Sequence, residues 1–380
     1  MKKLAIYIHI PFCKSKCAYC DFLSFTCINK VDEYIDALIR EIESFKNPRE
    51  YYVSSIFFGG GTPSLIDAGH IKRIMNALNS TFAIREDAEI SIECNPGTVT
   101  HDKLSTYRAL NINRISFGLQ SANNDELRFL GRIHTYEEFL ESYKLAKVCG
   151  FSNINIDIMS SLPYESRKSY QNTLEKVVSL APNHISAYSL ILEENTRLYN
   201  IVDKLEKKGE HIIPDEDFDR EMYHYTKNFL EDNGYHRYEI SNFSKEGYEC
   251  KHNISYWTND EYVGFGLGSA SYLDGVRYNN LRDLERYIDR TYTHDIKENV
   301  EKLTKKDKMW EYVMLRLRLD MGFNITEFNN TFDEEFDNIY RAVTEKYLNM
   351  GLLKKKGDFI SLTEKGIDVS NTVMADYIID

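Results

Sequence analysis

The stretch YIHIPFCKSKCAYCDF, residues 7–22, joins an apolar run to a loop that carries three cysteines. Cys13, Cys17 and Cys20 stand with three and then two residues between them. The apolar run that leads into the loop, LAIYIHI (4–10), has the length and composition of a buried β-strand. Three thiols on one loop directly after a strand predict a metal or iron–sulfur site at the end of that strand.

Strand-like and helix-like segments alternate through the first half of the chain. The segments VDEYIDALIREIESF (31–45) and TYEEFLESYKLAKVCG (135–150) have helical periodicity, and the second ends at Gly150. This alternation predicts an α/β fold with parallel βα units. Six strands are too few for a closed eight-stranded barrel, so we expect a partial (β/α)6 TIM-like barrel. After the first strand the predicted strands are SSIFFGG (54–60), AEISIEC (88–94), NRISFGL (113–119), NINIDIM (153–159) and HISAYSL (184–190).

The second half has a different pattern, which predicts a mostly α C-terminal domain. The last part has the rhythm of a winged helix-turn-helix, with helices near 324–348 followed by the hairpin LLKKKGDFISLTEKG (352–366). We expect three parts: a core barrel at 1–200, a barrel extension that faces the substrate at 201–290, and the C-terminal domain at 291–380. The other elements expected are a helix at 215–233, a strand YHRYEISNF (235–243), a glycine-rich turn region YVGFGLGSASYLDG (262–275) and a helix at 302–319.

The overall composition excludes several classes of protein. The net charge is -12 over 380 residues, which argues against a nucleic-acid partner held through its phosphates. Seven cysteines, an odd number, do not resemble a disulfide framework, so we expect a reducing cytoplasm. No apolar run is long enough to span a bilayer.

Three explanations compete for the cysteine loop. Free cysteines are often simply buried. Structural zinc usually takes four ligands in two spaced pairs, and the chain has no second CxxC pair. A four-iron cluster held by three thiolates would leave one iron open to a non-protein ligand, which is typical of a catalytic site.

Polar residues follow or end several predicted strands. Glu93 ends the third strand, Gln120 ends the fourth, and Asp157 lies in the fifth. A single such residue is usually a cap or a hydrogen-bonded wall. Because the carboxyl ends of parallel strands form one rim, several of them together indicate a site there. GGGTPS (59–64) also follows a strand; it is either a tight β-to-α turn or a place where the backbone approaches a ligand closely.

Several motifs carry a resemblance to a known family. CKSKCAYC (13–20) has the CxxxCxxC pattern of the radical S-adenosylmethionine (SAM) enzymes. The chain is similar, more closely, to the oxygen-independent coproporphyrinogen III oxidase group of that family, and the likeness covers nearly its whole length. The segments that carry it are YIHIPFC, GGGTPS, IECNPGT, RISFGLQS, LGRIH, NIDIMSSLP and, further along the chain, HNISYW (252–257).

The resemblance implies a set of cofactors and the residues that hold them. Cys13, Cys17 and Cys20 would bind a 4Fe-4S cluster whose open iron takes the amino and carboxylate groups of SAM. Tyr7 matches a tyrosine of the family at the same rim. Two further groups of residues are implied: Gly60, Gly61 and Thr62 receive the SAM amino group, and Glu93, Gln120, Arg132 and Asp157 contact its ribose, adenine or carboxylate.

Two functions within the group compete. Coproporphyrinogen dehydrogenases oxidatively decarboxylate two propionates to give protoporphyrinogen IX, and their motif is CxxxCxxCxC. Here Phe22 stands at the position of the last cysteine. The CDF form and HNISYW resemble the haem chaperone branch, which binds haem and delivers it to haem-requiring respiratory proteins without that dehydrogenase activity. A radical SAM enzyme for another substrate, such as RNA, is a third class, disfavoured by the acidic charge.

The chaperone branch implies haem as a ligand, and histidine is the usual axial ligand of haem iron. His252 in HNISYW is the candidate, with Tyr256 and Trp257 as walls for the ring. The same stretch could equally form a hydrogen-bonded corner between domains. The resemblance further implies a homodimer and a peripheral contact with a membrane. We assign no catalytic residue.

Overall fold

A twelve-stranded sheet runs through most of the protein, which a computed structural model describes over residues 1–378. A separate three-stranded sheet lies near the C-terminus. The strands are β1 (Lys2–Ile10), β2 (Tyr51–Gly60), β3 (Ala83–Cys94), β4 (Arg114–Gln120), β5 (Asn153–Ser160), β6 (His184–Ser189), β7 (His236–Glu239), β8 (Asn242–Ser244), β9 (Tyr262–Phe265), β10 (Ala270–Leu273), β11 (Val276–Asn280), β12 (Lys297–Lys302), β13 (Phe323–Asn324), β14 (Leu353–Lys356) and β15 (Phe359–Leu362).

Helices follow most of the central strands. The helices are α1 (Val31–Glu43), α2 (Ala68–Thr81), α3 (His101–Ala109), α4 (Asn124–Phe129), α5 (Tyr136–Val148), α6 (Arg167–Ser179), α7 (Arg197–Glu206), α8 (Glu216–Asp232), α9 (Lys251–Trp257), α10 (Leu284–Arg290), α11 (Lys305–Arg316), α12 (Ile325–Phe332), α13 (Phe336–Asn349), α14 (Glu364–Ile367) and α15 (Ser370–Ala375). Single 3₁₀ turns occur at Ile28–Lys30, Pro48–Glu50 and Pro63–Leu65.

The six predicted strands are neighbours in chain order, β1 to β6, and all their pairings are parallel. Beyond β6 the sheet continues through β8 and β7, which are antiparallel. On the other side β9 pairs in parallel with β1, and β10, β11 and β12 follow as an antiparallel ribbon. The prediction of an α/β partial barrel is confirmed. The carboxyl ends of seven parallel strands therefore face the same rim.

Local sequence explains where α5 begins and ends. Thr135 and Glu138 form a capping box at its N-terminus, which satisfies backbone amides that lack helical partners. Gly150 follows the C-terminus with φ at +86°, a backbone conformation that favours glycine. The helices predicted at 31–45, 135–150 and 215–233 are confirmed, each two or three residues shorter in total.

Two predictions in the second half need correction. The predicted strand at 235–243 is a hairpin, β7 and β8, because the Glu239 carboxylate accepts hydrogen bonds from Ser241 N and Asn242 Nδ2 and holds a turn between them. The predicted turn region at 262–275 contains strands β9 and β10. Gly264 serves close packing there: a Cβ on it would lie 2.5 Å from the Ala270 backbone oxygen.

The C-terminal part has its own apolar core, built from α11 to α13, α15 and the small sheet. Two helices, Ile325–Phe332 and Phe336–Asn349, precede the hairpin of β14 and β15, as the winged-helix pattern predicts. The predicted helix at 302–319 is shorter, since Thr304 caps α11 and β12 ends at Lys302. The division at residues 200 and 290 stays a prediction.

Gly322→Ala should destabilise this C-terminal part strongly. Gly322 has φ at +71°, and a Cβ there would lie 1.9 Å from the Ile360 backbone oxygen. Gly351→Ala is the matched control, because φ is +69° and nothing lies within 4 Å of the added carbon. We expect the control to lose about 1 kcal/mol and Gly322→Ala at least ~2 kcal/mol more, measured by denaturant unfolding. Equal losses for the two variants would contradict the predicted clash.

Candidate functional site

The cysteine loop is closed at its base by backbone hydrogen bonds. Cys13 N donates to Phe25 O at 2.9 Å, and Phe25 N donates to Pro11 O at 2.7 Å. Ala18 in the middle of the loop binds two other segments: its N donates to Leu130 O, and its O accepts from Leu198 N, each at 2.8 Å. These bonds hold the loop over the carboxyl ends of the parallel strands.

The glycine turn after β2 is joined directly to this loop. Gly61 N donates to Ile10 O at 2.8 Å, and Thr62 N donates to Phe12 O at 2.9 Å. The Thr62 hydroxyl donates to Cys13 Sγ at 3.5 Å. A Cβ on Gly61 would lie 2.8 Å from Phe12 O, so only glycine allows this approach. The predicted turn and the predicted metal loop are thus one unit.

One cavity, here named the cysteine cavity, collects most of the predicted site. Its wall includes all three cysteines of the loop and seven of the residues that the resemblance assigned to SAM. Those seven come from four strands and the segments that follow them, as the rim argument predicts. They are Gly60, Gly61, Thr62, Glu93, Gln120, Arg132 and Asp157.

Arg132 connects the cysteine loop to the sheet. Its Nη1 lies 3.6 Å from Cys17 Sγ, and its Nη2 donates to Asn95 Oδ1 at 2.9 Å. Asn95 in turn donates from Nδ2 to the Thr62 hydroxyl at 2.9 Å. Asn95 was not among the predicted site residues, although it directly follows β3 in the motif IECNPGT. An asparagine at a strand end was the available signal.

Glu93 and Asp157 are two part-buried carboxyl groups in the wall of the cavity. Burial, with the nearby Asp157 charge, raises the pKa of Glu93 to about 8. Burial also raises the pKa of Asp157, while hydrogen bonds from Asn155 and Ser116 oppose that rise. Gly60 N donates to Glu93 Oε2 at 3.1 Å, which places this carboxyl beside the glycine turn. A protonated Glu93 can donate a hydrogen bond to a ligand hydroxyl.

The raised pKa of Glu93 should make the cofactor-free protein less stable as pH rises. The folded protein keeps this proton to higher pH than the unfolded chain, so stability falls from about pH 4.5 to about pH 8. We expect Glu93→Gln to reduce the drop in melting temperature over that range by a few degrees. The exposed Glu86→Gln on the same strand is the control. The same pH dependence in wild type and Glu93→Gln would contradict the prediction.

A second cavity of 420 Å³, here named the tyrosine cavity, adjoins the first and shares Glu93, Gln120 and Asp157 with it. Phe22 lines both cavities, and its side chain is 69% exposed. The remaining aromatic wall of the tyrosine cavity comprises Tyr7, Tyr19, Phe57, Tyr188 and Tyr256.

His252 lines the tyrosine cavity with both ring nitrogens engaged. Nδ1 lies 3.0 Å from Ser55 Oγ, and Nε2 lies 2.9 Å from the Tyr256 hydroxyl. The ring stacks on Phe57 and is buried, which lowers its pKa to about 3. His252 is thus part of a hydrogen-bonded network, which was one of the two alternatives for the stretch HNISYW. Axial ligation by His252 stays a prediction, and it requires iron to displace one of the two hydroxyls.

The donor set of the cysteine cavity fits an iron–sulfur cluster. Three thiols on one loop line a single cavity, with hydrogen-bond donors from Thr62 and Arg132 at two of the sulfurs. Such donors stabilise thiolates, the form that binds metal. In residues 1–378 no three histidine, cysteine, aspartate or glutamate side chains converge closely enough to hold a single metal ion.

Comparison with known families agrees with this geometry. The family model described as the Radical SAM superfamily matches residues 7–177, and that of the HemN C-terminal domain matches residues 303–369. Coproporphyrinogen III oxidase (HemN) from Escherichia coli, whose structure is described as a radical SAM enzyme, has the same fold: the TM-score is 0.86 at 24% identity, over 99% of this chain and 90% of that one. The fold and the cysteine cavity define a protein of the radical SAM class.

Relatives that match nearly the full length of the chain identify its family within the radical SAM class. The chain is 35% identical to "Heme chaperone HemW" of Lactococcus lactis, over 100% of this chain and 98% of the relative. It is 33% identical to the protein of that name from Bacillus subtilis, over 98% of each chain, and 32% identical to that from Escherichia coli, over 96% and 95%. The chain belongs to the HemW family of radical SAM proteins.

Family membership implies a 4Fe-4S cluster and SAM as cofactors. The cluster cysteines and SAM residues named from the resemblance lie together, but their individual roles stay predictions. Among the described helices, none combines the length and apolar character needed to cross a membrane.

Proposed function

We propose that this protein is a haem chaperone that binds a 4Fe-4S cluster, SAM and haem, and delivers haem to haem-requiring proteins. One observation carries the proposal: an aromatic cavity adjoins the cysteine cavity, and exposed Phe22 lies at their junction. Phe22 occupies the position at which the dehydrogenase motif has a cysteine. The HemW name of the full-length relatives supports the same function.

In this proposal Cys13, Cys17 and Cys20 hold the cluster. When bound, the cluster and SAM supply one-electron chemistry at the SAM sulfonium. The residues around them orient and shield that site. Arg132 offers a guanidinium suited to the SAM carboxylate, while Glu93 offers a protonated or charged carboxyl for ribose hydroxyls. The glycine turn after β2 presents its backbone groups to SAM at a place where a side chain would not fit.

The tyrosine cavity is the proposed place for haem. Its wall combines six phenylalanine and tyrosine side chains with polar and charged residues, and such a mixture is usual in pockets for large organic ligands. Tyr188 and Phe22 are exposed at its mouth and offer flat apolar surface to a tetrapyrrole ring. Either His252 or an external ligand would complete the coordination of iron.

The finer parts of the proposal concern location and partners. We include respiratory proteins as haem acceptors, a cytoplasmic location, a peripheral membrane contact and a homodimer, all implied by the resemblance. Size-exclusion chromatography of the reconstituted protein tests dimerisation. Co-sedimentation with anionic vesicles tests the membrane contact.

An anaerobic assay on the reconstituted protein tests the main proposal. The protein receives coproporphyrinogen III, SAM and a reductant, and chromatography detects protoporphyrinogen IX. A parallel titration measures haem binding and the transfer of bound haem to an acceptor protein that lacks it. We expect haem binding and transfer with no protoporphyrinogen. Turnover to protoporphyrinogen would establish the dehydrogenase alternative, and failure to bind haem would refute the chaperone function.

A further inference from the structure

A buried arginine faces the tyrosine cavity without a hydrogen-bond partner. Arg114 is the first residue of β4, and only 2% of its surface is exposed. Its side chain lines the cavity, and its Nε is fully buried and unpaired. Within the described residues, no hydrogen bond or salt bridge reaches the other guanidinium nitrogens either.

This guanidinium is charged. Burial lowers the pKa of Arg114, but the neighbouring Cys250 thiol and the Glu89 and Asp157 carboxyls outweigh burial, so that the pKa lies above its ordinary value. Burying the Nε–H group of a charged side chain without a hydrogen-bond partner is unfavourable, because the donor has lost water and gained no acceptor. An unpartnered buried group in a native protein needs an explanation, and a bound ligand or ion is one of the usual ones.

The two neighbouring carboxyl groups have other partners. Glu89 accepts hydrogen bonds from two backbone N–H groups at the start of α9, at 3.1 and 3.2 Å. Asp157 accepts from Asn155 Nδ2 at 2.7 Å. These carboxyls lower the electrostatic cost of the arginine at a distance, but they leave its N–H groups free for a ligand.

The chemistry of the ligand follows from the cavity. A guanidinium presents paired donors that match the two oxygens of a carboxylate. The same cavity is lined by Phe57, Met159 and Tyr188, which favour an apolar body. The cavity therefore fits a carboxylate arm attached to a large apolar group.

We propose that Arg114 binds a propionate carboxylate of haem at the floor of the tyrosine cavity. This inference rests on the proposed function, because the carboxylate is a propionate group of haem. The arm enters the cavity, and the ring stays at the mouth against exposed Phe22 and Tyr188. SAM is the other proposed ligand that carries a carboxylate, and the predicted partner of that group, Arg132, lies in the wall of the cysteine cavity.

Haem and haem dimethyl ester distinguish carboxylate binding from binding of the ring. We titrate each into the reconstituted wild type, Arg114→Met, Arg114→Lys and the control Arg108→Met, a helix residue outside both cavities. Wild type and the control should bind the ester roughly 10- to 100-fold more weakly than haem, the effect of losing a charge-assisted pair. Arg114→Met should bind both ligands at the weaker affinity, and Arg114→Lys should fall between. SAM binding should be the same in all four proteins.

Each other outcome has a distinct meaning. Equal binding of haem and ester by wild type refutes the carboxylate site while leaving the chaperone function intact. Binding of neither ligand refutes the proposed function itself. If Arg114→Met keeps the preference for haem, Arg114 is not the residue responsible. Loss of SAM binding in Arg114→Met with an unchanged preference assigns Arg114 to SAM and also overturns the proposal. If Arg114→Met does not fold, as judged by thermal melting, an undiminished preference in Arg114→Lys overturns it.

Discussion

Cys17→Ala is expected to reduce cluster iron from about four atoms per chain to a small fraction of that after anaerobic reconstitution. Three thiolates on one loop are the proposed protein ligands, so losing one leaves two, too few to hold the cluster against chelators. Cys17 is partly exposed, so the fold should survive its replacement. The loop also keeps its backbone closure between Cys13 and Phe25. Iron and sulfide analysis with the EPR spectrum of the reduced protein measures the effect.

Cys27→Ala is the matched control for that experiment. Cys27 is the nearest other cysteine in the chain, is exposed, and lies beyond the wall of the cysteine cavity. Its loss should leave iron content unchanged. An iron content in Cys17→Ala equal to that of wild type would show that the cluster lies elsewhere. Loss of iron in Cys27→Ala would make Cys27 a further ligand.

Gly61→Ala is expected to abolish SAM binding, with an affinity loss of roughly 100-fold or more, about 3 kcal/mol. The added Cβ would lie 2.8, 2.9 and 3.0 Å from Phe12 O, Phe12 N and Ile10 O. All three are backbone atoms, so the glycine turn must separate from the cysteine loop. That movement displaces Gly60 and Thr62 from the cavity wall. Equilibrium dialysis with the reconstituted protein measures the affinity.

Gly69→Ala controls for the loss of a glycine. Its added carbon meets only the end of the Asp67 side chain, at 2.9 Å, and a side chain can move. We expect SAM affinity and melting temperature close to those of wild type. Wild-type SAM affinity in Gly61→Ala would instead place the SAM site away from the glycine turn.

The core strands were predictable because their signal is local. Strand β1, for example, is buried over most of residues 4–10, and its sequence there, LAIYIHI, is an almost continuous apolar run. The site at the rim followed from the same reasoning, since Glu93 and Gln120 end strands and polar residues there converge whatever the details of packing. Both Glu93 and Gln120 do line the cysteine cavity.

The features that could not be predicted from the sequence depend on contacts between segments that are far apart in the chain. β9 is only four residues long and includes Gly264, and its strand character comes from pairing with β1. Arg114 lay inside a quoted motif, yet it begins a strand rather than ending one. Alternate residues of a barrel strand point into the barrel interior. Arg114 therefore lines the tyrosine cavity although it lies at the start of β4. The bonding of both His252 nitrogens likewise arises from Ser55 and Tyr256, which meet only in the folded chain.

The pairing of β9 with β1 has a consequence for the order in which the protein is synthesised. Ala5 pairs with Tyr262, so one edge of the first strand stays open until most of the chain has left the ribosome. That edge is apolar and suited to pairing with other chains. Parallel pairings between distant segments also form slowly. A nascent or truncated chain that lacks β9 is therefore the form most exposed to aggregation, and the one for which a holding chaperone would matter most.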